Sequence, residues 1–161
     1  MSPLIYVDLD NTLANFELKF FQLTGKRVHE VDSEYLWGAI TAYDDAGGQW
    51  FADLPLMPDA MQLWEYVKPH NAKILTATGR EEEKASRQKR IWTAAVLGIE
   101  DDSRVITVRK SEFKALHASP GAILIDDHLE RSIKPWIAAG GIGIHHTHAA
   151  LSIAVLKSLG I

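Results

Sequence analysis

Five short apolar runs, each broken off by polar residues, constrain what this chain can fold into. Leu4 to Val7 ends at Asp8-Leu-Asp-Asn-Thr12, and Ala72 to Leu75 ends at Thr76-Ala-Thr-Gly79. Arg104 to Val108 ends at Arg109-Lys-Ser111, Ala122 to Ile125 at Asp126-Asp-His128, and Ile142 to Ile144 at His145-His-Thr-His148. Short runs of this kind, rich in β-branched residues, read as buried strands. Helical patterns lie between them. Pro58 to Val67 is apolar at Met61, Leu63, Trp64 and Val67, with Pro58 suited to a first turn. Glu81 to Leu97 is charged early and apolar late, and Thr78-Gly-Arg-Glu81 has capping-box spacing for its start. Leu129 to Ala139 stops at Gly140-Gly141, and Ala149 to Leu159 stops at Gly160. Buried strands alternating with helices imply an α/β fold: a Rossmann-like parallel sheet with helices on both faces. Ligands of such sheets sit beyond the carboxyl ends of the strands, which is where the polar breaks fall.

One segment interrupts the alternation. Residues from about 15 to 56 carry Phe16, Phe20, Phe21, Tyr35, Leu36, Trp37, Tyr43, Trp50 and Phe51, with a turn at Asp44-Asp-Ala-Gly-Gly48. The stretch is too long and too aromatic for a simple crossover and reads as a small helical cap inserted into a single domain spanning 1–161. A chain of 161 residues, 47% hydrophobic and 24% charged, has enough apolar material for one core. Its formal charge of -4 argues against binding duplex nucleic acid. With no cysteine, thiol catalysis, disulfides and Cys-ligated metals are excluded. The start lacks a signal-peptide pattern and no run approaches the length of a membrane helix, so a cytoplasmic location is expected.

The chemistry lies in the carboxylates. Asp8 and Asp10 leave one strand, and Asp126 and Asp127 leave another. Four carboxylates on one sheet edge repel one another unless a cation sits among them, and an oxygen-rich site with room for water suits Mg²⁺. Such a metal orients a phosphate, on which a carboxylate can act as nucleophile. Thr76 offers a hydroxyl at a third strand end, and a lysine near the second acidic pair would offset phosphate charge. Each aspartate taken singly is equally well read as a turn former or helix cap. The ordered set is not.

Asp8-Leu-Asp-Asn-Thr-Leu13, Ile74-Leu-Thr76 and Ile123-Leu-Ile-Asp-Asp127 resemble, in order, the first, second and fourth motifs of the haloacid dehalogenase (HAD) superfamily of phosphohydrolases. The third motif is one lysine before the fourth. Lys110 and Lys114 both qualify, and Lys114 is favoured because Lys-Ala-Leu-His-Ala-Ser-Pro-Gly121 resembles the helix and turn that commonly carry it. The resemblance implies that Asp8 attacks phosphorus to form an aspartyl-phosphate. It implies that Asp10 protonates the leaving group and then activates water, its backbone carbonyl also binding the metal. Thr76, Ala77 and the lysine would hold phosphate oxygens. Asp126 would ligate Mg²⁺ together with Asp8, and Asp127 would act through water or by orienting its neighbour.

Within the superfamily, Trp50-Phe-Ala-Asp-Leu-Pro-Leu-Met-Pro-Asp-Ala60 and the acidic motif followed by Trp136 and Ala139-Gly-Gly141 are similar to the 5'(3')-deoxyribonucleotidase branch. That resemblance implies a (deoxy)nucleoside monophosphate as substrate, enclosed by cap aromatics such as Phe16, Trp37, Trp50 and Phe51. The alternatives are another small phosphomonoester, such as a sugar phosphate or phosphoserine, and a non-catalytic anion-binding module. Oligomeric state is not legible. His145, His146 and His148 have a spacing that can bind Zn²⁺, but a loop rim is the simpler role. His128 is either pocket lining or helix-start polarity. Arg80 reads either as a phosphate contact or as solvent-exposed, and Lys84 as part of a solvated helix face. Arg87, Lys89 and Arg90 read as partners of the preceding glutamates and of the helix dipole.

Overall fold

A computed structural model describes residues 2–161. Five parallel strands, β1 (Ile5–Val7), β2 (Lys73–Ala77), β3 (Val105–Val108), β4 (Ile123–Asp126) and β5 (Ile142–His145), form one sheet in the order β3-β2-β1-β4-β5. The helices are α1 (Phe16–Thr24), α2 (Ser33–Asp45), α3 (Ala60–Val67), α4 (Glu82–Leu97), α5 (Lys134–Ala138) and α6 (Ala149–Ser158). A π-helical turn, Leu129–Ile133, leads into α5, and a run of 3-10 turns, Ser111–His117, joins β3 to β4.

Side chains alternate across the sheet, so each strand feeds two cores. Ile5, Val7, Ile74, Val105, Ile123, Ile125 and Ile144 point to one face, against Leu63, Trp64 and Val67 of α3, Trp92 and Leu97 of α4, and Ile153 and Leu156 of α6. Tyr6, Leu75 and Leu124 point to the other, against Ile133 and Trp136 of the π-turn and α5. The 15–56 segment supplies α1 and α2, and its Phe20, Ile40, Trp50, Phe51 and Leu54 join the first of these cores.

Two local expectations are corrected. Thr78 does not cap α4. Its hydroxyl donates to the Val108 carbonyl instead, and the N-cap residue Glu81 makes no side-chain capping bond. Pro58 lies just outside α3, whose N-cap is Asp59; that carboxylate accepts from the Ala149 N–H at 2.6 Å and so serves the start of α6. No helix among the described residues is long and apolar enough to cross a membrane.

Candidate active site

The sheet register brings the two acidic pairs together. β1 and β4 are neighbours with Val7 opposite Ile125, and the Asp8 N–H donates to the Ile125 carbonyl at 3.0 Å, which sets Asp8 beside Asp126. Beyond β1 the chain turns tightly, with the amides of Thr12, Leu13 and Ala14 all donating to the Leu9 carbonyl. Asn11 takes the left-handed conformation at φ 61°, a conformation asparagine tolerates, and its side chain accepts from the Glu17 N–H. This turn keeps Asp10 on the same edge as Asp8. The Thr12 hydroxyl donates to Asp127 Oδ1 at 3.2 Å, tying the first acidic segment to the second.

Asp8, Asp126 and Asp127 each offer an oxygen within 4.8 Å of the others, the only such cluster of metal-ligating side chains among the described residues. Lys114 is 1% exposed and its ammonium donates to Asp8 Oδ1 at 2.8 Å and Asp126 Oδ2 at 2.6 Å. Burial alone would lower its pKa, but the charges of Asp8 and Asp126 more than reverse that and hold it protonated. Asp126 and Asp127 are pushed well above the usual carboxylate range, first by burial and then by the charge of Asp8. Asp10 is raised too, by burial, against the pull of Lys89. Lys110 lies elsewhere, exposed on the wall of a neighbouring cavity.

Lys89 is the residue that the sequence reading misplaced. It does not complement the helix dipole at the surface. It is 1% exposed, and its ammonium donates to Asp10 Oδ2 at 2.8 Å and to Thr76 Oγ1 at 3.0 Å. A usable signal existed: Lys89 is in phase with Ala85, Trp92 and Val96 on the apolar stripe of α4, so the helix period alone turns it inward. Thr76, fully buried, therefore faces α4, while Ala77 lines the site mouth.

Two connected spaces open at this edge. The smaller, about 130 Å³, is lined by Asp8, Asp10, Asn11, Ala77, Ser111, Lys114, Asp126, Asp127 and His128. The larger, about 620 Å³, lies between the 15–56 segment and the strand ends, and shares Asp10, Ala77 and Ser111 with the first. Phe16, Trp37 and Phe51 are among its apolar walls, with Arg80, Arg109, Lys110 and Arg131 among its polar ones. Trp50 is not on either wall. It is fully buried and packs edge-on against Phe16, Phe20 and Tyr43, so it is core of the inserted segment rather than a pocket residue. Arg80 pairs with Glu34 at 2.7 Å and with the Ser33 hydroxyl, joining α2 to the loop after β2. Lys84 is similarly tied down, pairing with Asp44 at 3.1 Å and with Glu81.

The histidines do not converge. His146 is buried with Nδ1 2.7 Å from the Ser152 hydroxyl, His145 Nε2 lies 3.0 Å from the Asp127 carbonyl, and His148 meets Thr147. His128 both lines the smaller space and accepts from the Arg131 N–H at the start of its turn.

The donor set fits a divalent cation. Asp8, Asp10, Asp126 and Asp127 face only two buried ammonium groups, those of Lys89 and Lys114, so a charge of about -2 is left among fully ionised groups. An all-oxygen set suits Mg²⁺ better than a softer metal.

No family model and no curated protein matches the sequence. Solved structures do match it. A haloacid dehalogenase-like family hydrolase from Xanthomonas campestris is similar over 98% of this chain and 91% of its own, with TM-score 0.60 and 11% identity. A HAD phosphatase from Thermococcus onnurineus is similar over 98% of each chain, with TM-score 0.56 and 17% identity. A HAD family hydrolase from Deinococcus radiodurans, solved with bound phosphate and sodium, is similar over 99% of this chain and 90% of its own, with TM-score 0.52 and 15% identity. The fold is HAD-like.

Proposed function

We propose that this HAD-like fold carries a Mg²⁺-dependent phosphomonoester hydrolase that works through an aspartyl-phosphate on Asp8, with (deoxy)nucleoside monophosphates as its substrate class. The observation that carries this reading is the convergence of Asp8, Asp126 and Asp127 with the buried Lys114 at the carboxyl ends of β1 and β4. Asp8, Asp126 and the backbone carbonyl of Asp10 would hold Mg²⁺, with Asp127 acting through water. The bound metal would offset phosphoryl charge and fix the line of attack.

The chain's own residues account for the remaining steps. Lys114 and the Ala77 amide would bind phosphoryl oxygens in the smaller space, with the Thr76 hydroxyl beside them. Lys114 also holds Asp8 Oδ1 by a charge-assisted bond, and the other Asp8 oxygen would attack phosphorus. Asp8 would form a new P–O bond as the bond to the leaving oxygen breaks, and Asp10 would give that oxygen a proton. In the second half, Asp10 would take a proton from water as its oxygen attacks phosphorus and the bond to Asp8 breaks. The 15–56 segment would act as the cap. A cavity of about 620 Å³ is in the range of small-molecule sites, and Phe16, Trp37 and Phe51 offer ring faces to a base.

Phosphate release from a panel of nucleoside monophosphates, sugar phosphates and phosphoamino acids tests both levels of the proposal. Metal-dependent release that favours nucleotides is expected. Equal rates across the panel would remove the nucleotide assignment, and full activity in excess chelator would remove the mechanism.

A further inference from the structure

Lys89 enters the site from α4, on the opposite sheet face from Lys114, and packing does not require its charge. An ammonium withdrawn from water is costly unless its donors are satisfied. Here they are: one goes to Asp10 Oδ2, one to Thr76 Oγ1, and the Phe51 ring lies 4.5 Å away. The other oxygen of the same carboxylate, Asp10 Oδ1, is buried and has no hydrogen-bond partner in the protein. A lysine can only donate, so the Thr76 hydroxyl must accept from it, which leaves the Thr76 hydrogen free for another oxygen. We infer that Lys89 is a positioning residue that clamps Asp10 through Oδ2, so that Oδ1 is aimed at the oxygen gaining or losing a proton, with the Thr76 hydroxyl as the second anchor that holds the ammonium in place. The inference rests on the phosphatase reading and assigns Lys89 no contact with the reacting atoms.

The rigidity of α4 makes the clamp a fixed one. Next to Lys89, the Gln88 side chain accepts from the Phe51 N–H at 2.9 Å, and one turn on, the Trp92 indole donates to the Leu54 carbonyl at 2.8 Å. The helix is thus bonded to the inserted segment on both sides of Lys89.

The test is stopped-flow and steady-state turnover of p-nitrophenyl phosphate and of a nucleoside monophosphate, with Mg²⁺, for wild type, Lys89→Met, Asp10→Asn and the double variant. Nitrophenolate leaves without a proton, so Lys89→Met should still phosphorylate Asp8 and then stall. A burst equal to the enzyme concentration is expected, followed by a steady rate about 10²-fold below wild type. With the nucleotide, whose leaving oxygen needs the proton, there should be no burst and a kcat loss of at least about 10²-fold, with KM changed by less than about threefold. The double variant should be no slower than Asp10→Asn. A merely structural role would give no burst with p-nitrophenyl phosphate and would multiply with Asp10→Asn; either result overturns the inference. Should Lys89→Met alone fail to fold, the double variant removes both charges together, and its comparison with Asp10→Asn still decides. A wild-type protein inactive on every monoester would overturn the phosphatase reading first, and the inference with it.

Discussion

The two buried lysines have equivalents in chemistry but not in position, and substitution separates them from their exposed neighbours. Lys114 bridges Asp8 and Asp126, whereas Lys110 stands on the outer cavity wall. Lys114→Ala should cost about 3 kcal/mol of transition-state stabilisation, on the order of 10²-fold in kcat/KM. Lys110→Ala should cost far less. The reverse ranking in a kinetic comparison would make Lys110 the phosphate lysine. His146 supplies a second pH dependence, in which burial lowers the pKa and the charges of Asp59 and, more weakly, Asp8 oppose it. Burial lowers its pKa below the ordinary imidazole value, so the unfolded chain binds the proton more tightly. Its contribution to stability is therefore complete above about pH 6.5 and is lost as the pH falls from there toward the folded-state value. His146→Gln should flatten the acid side of the stability curve, measured by urea unfolding from about pH 7.5 to 5. An unchanged slope would mean that His146 titrates alike in the folded and unfolded chains.

At the scale of elements, the inserted segment meets the sheet through Trp37 and Gly79. Gly79 has φ +72°, and a Cβ placed there would stand 2.3 Å from the Trp37 ring, so the indole edge sits directly on the loop after β2. Stacking a base on a ring is worth about 1–3 kcal/mol, so Trp37→Ala should raise KM for a nucleoside monophosphate about tenfold to a hundredfold. Small aryl phosphates should be nearly unaffected. Equal losses on all substrates would make Trp37 a packing residue only. The strands and the helices of the sheet layers were legible because each is buried in a regular pattern, and their observed bounds lie within a few residues of the apolar runs. The period of α4 was enough to turn Lys89 inward, away from its neighbours Arg87 and Arg90, but not to show what it meets there. That Asp10 and Thr76 receive it follows only from where α4 lies on the sheet. Trp50 was misassigned because an aromatic in a small inserted segment looks equally suited to a wall or to a core. Only the packing of Phe16, Phe20 and Tyr43 around it settles which.

For the whole molecule, the acidic cluster is a local cost that a metal offsets. Asp126 and Asp127 are shifted upward, so in the folded protein without metal these two groups bind more protons than in the unfolded chain above about pH 4, and their contribution to stability declines as the pH rises. Mg²⁺ should therefore raise the melting temperature more at pH 8 than at pH 5, with about 2.7 kcal/mol of stabilisation at a hundredfold excess over its Kd. Ca²⁺ should bind but support turnover poorly, because its looser coordination misplaces the nucleophile. A metal effect independent of pH would place the ion away from these carboxylates. The proposed mechanism turns on Asp8 carrying the phosphoryl group. Its most direct test is to quench the working enzyme, reduce any acyl-phosphate with borohydride, and map the peptides by mass spectrometry. Homoserine is expected at position 8 in the wild type, and none in Asp8→Asn, which should also be inactive. Modification at another aspartate, or turnover by Asp8→Asn without a trapped intermediate, would contradict it.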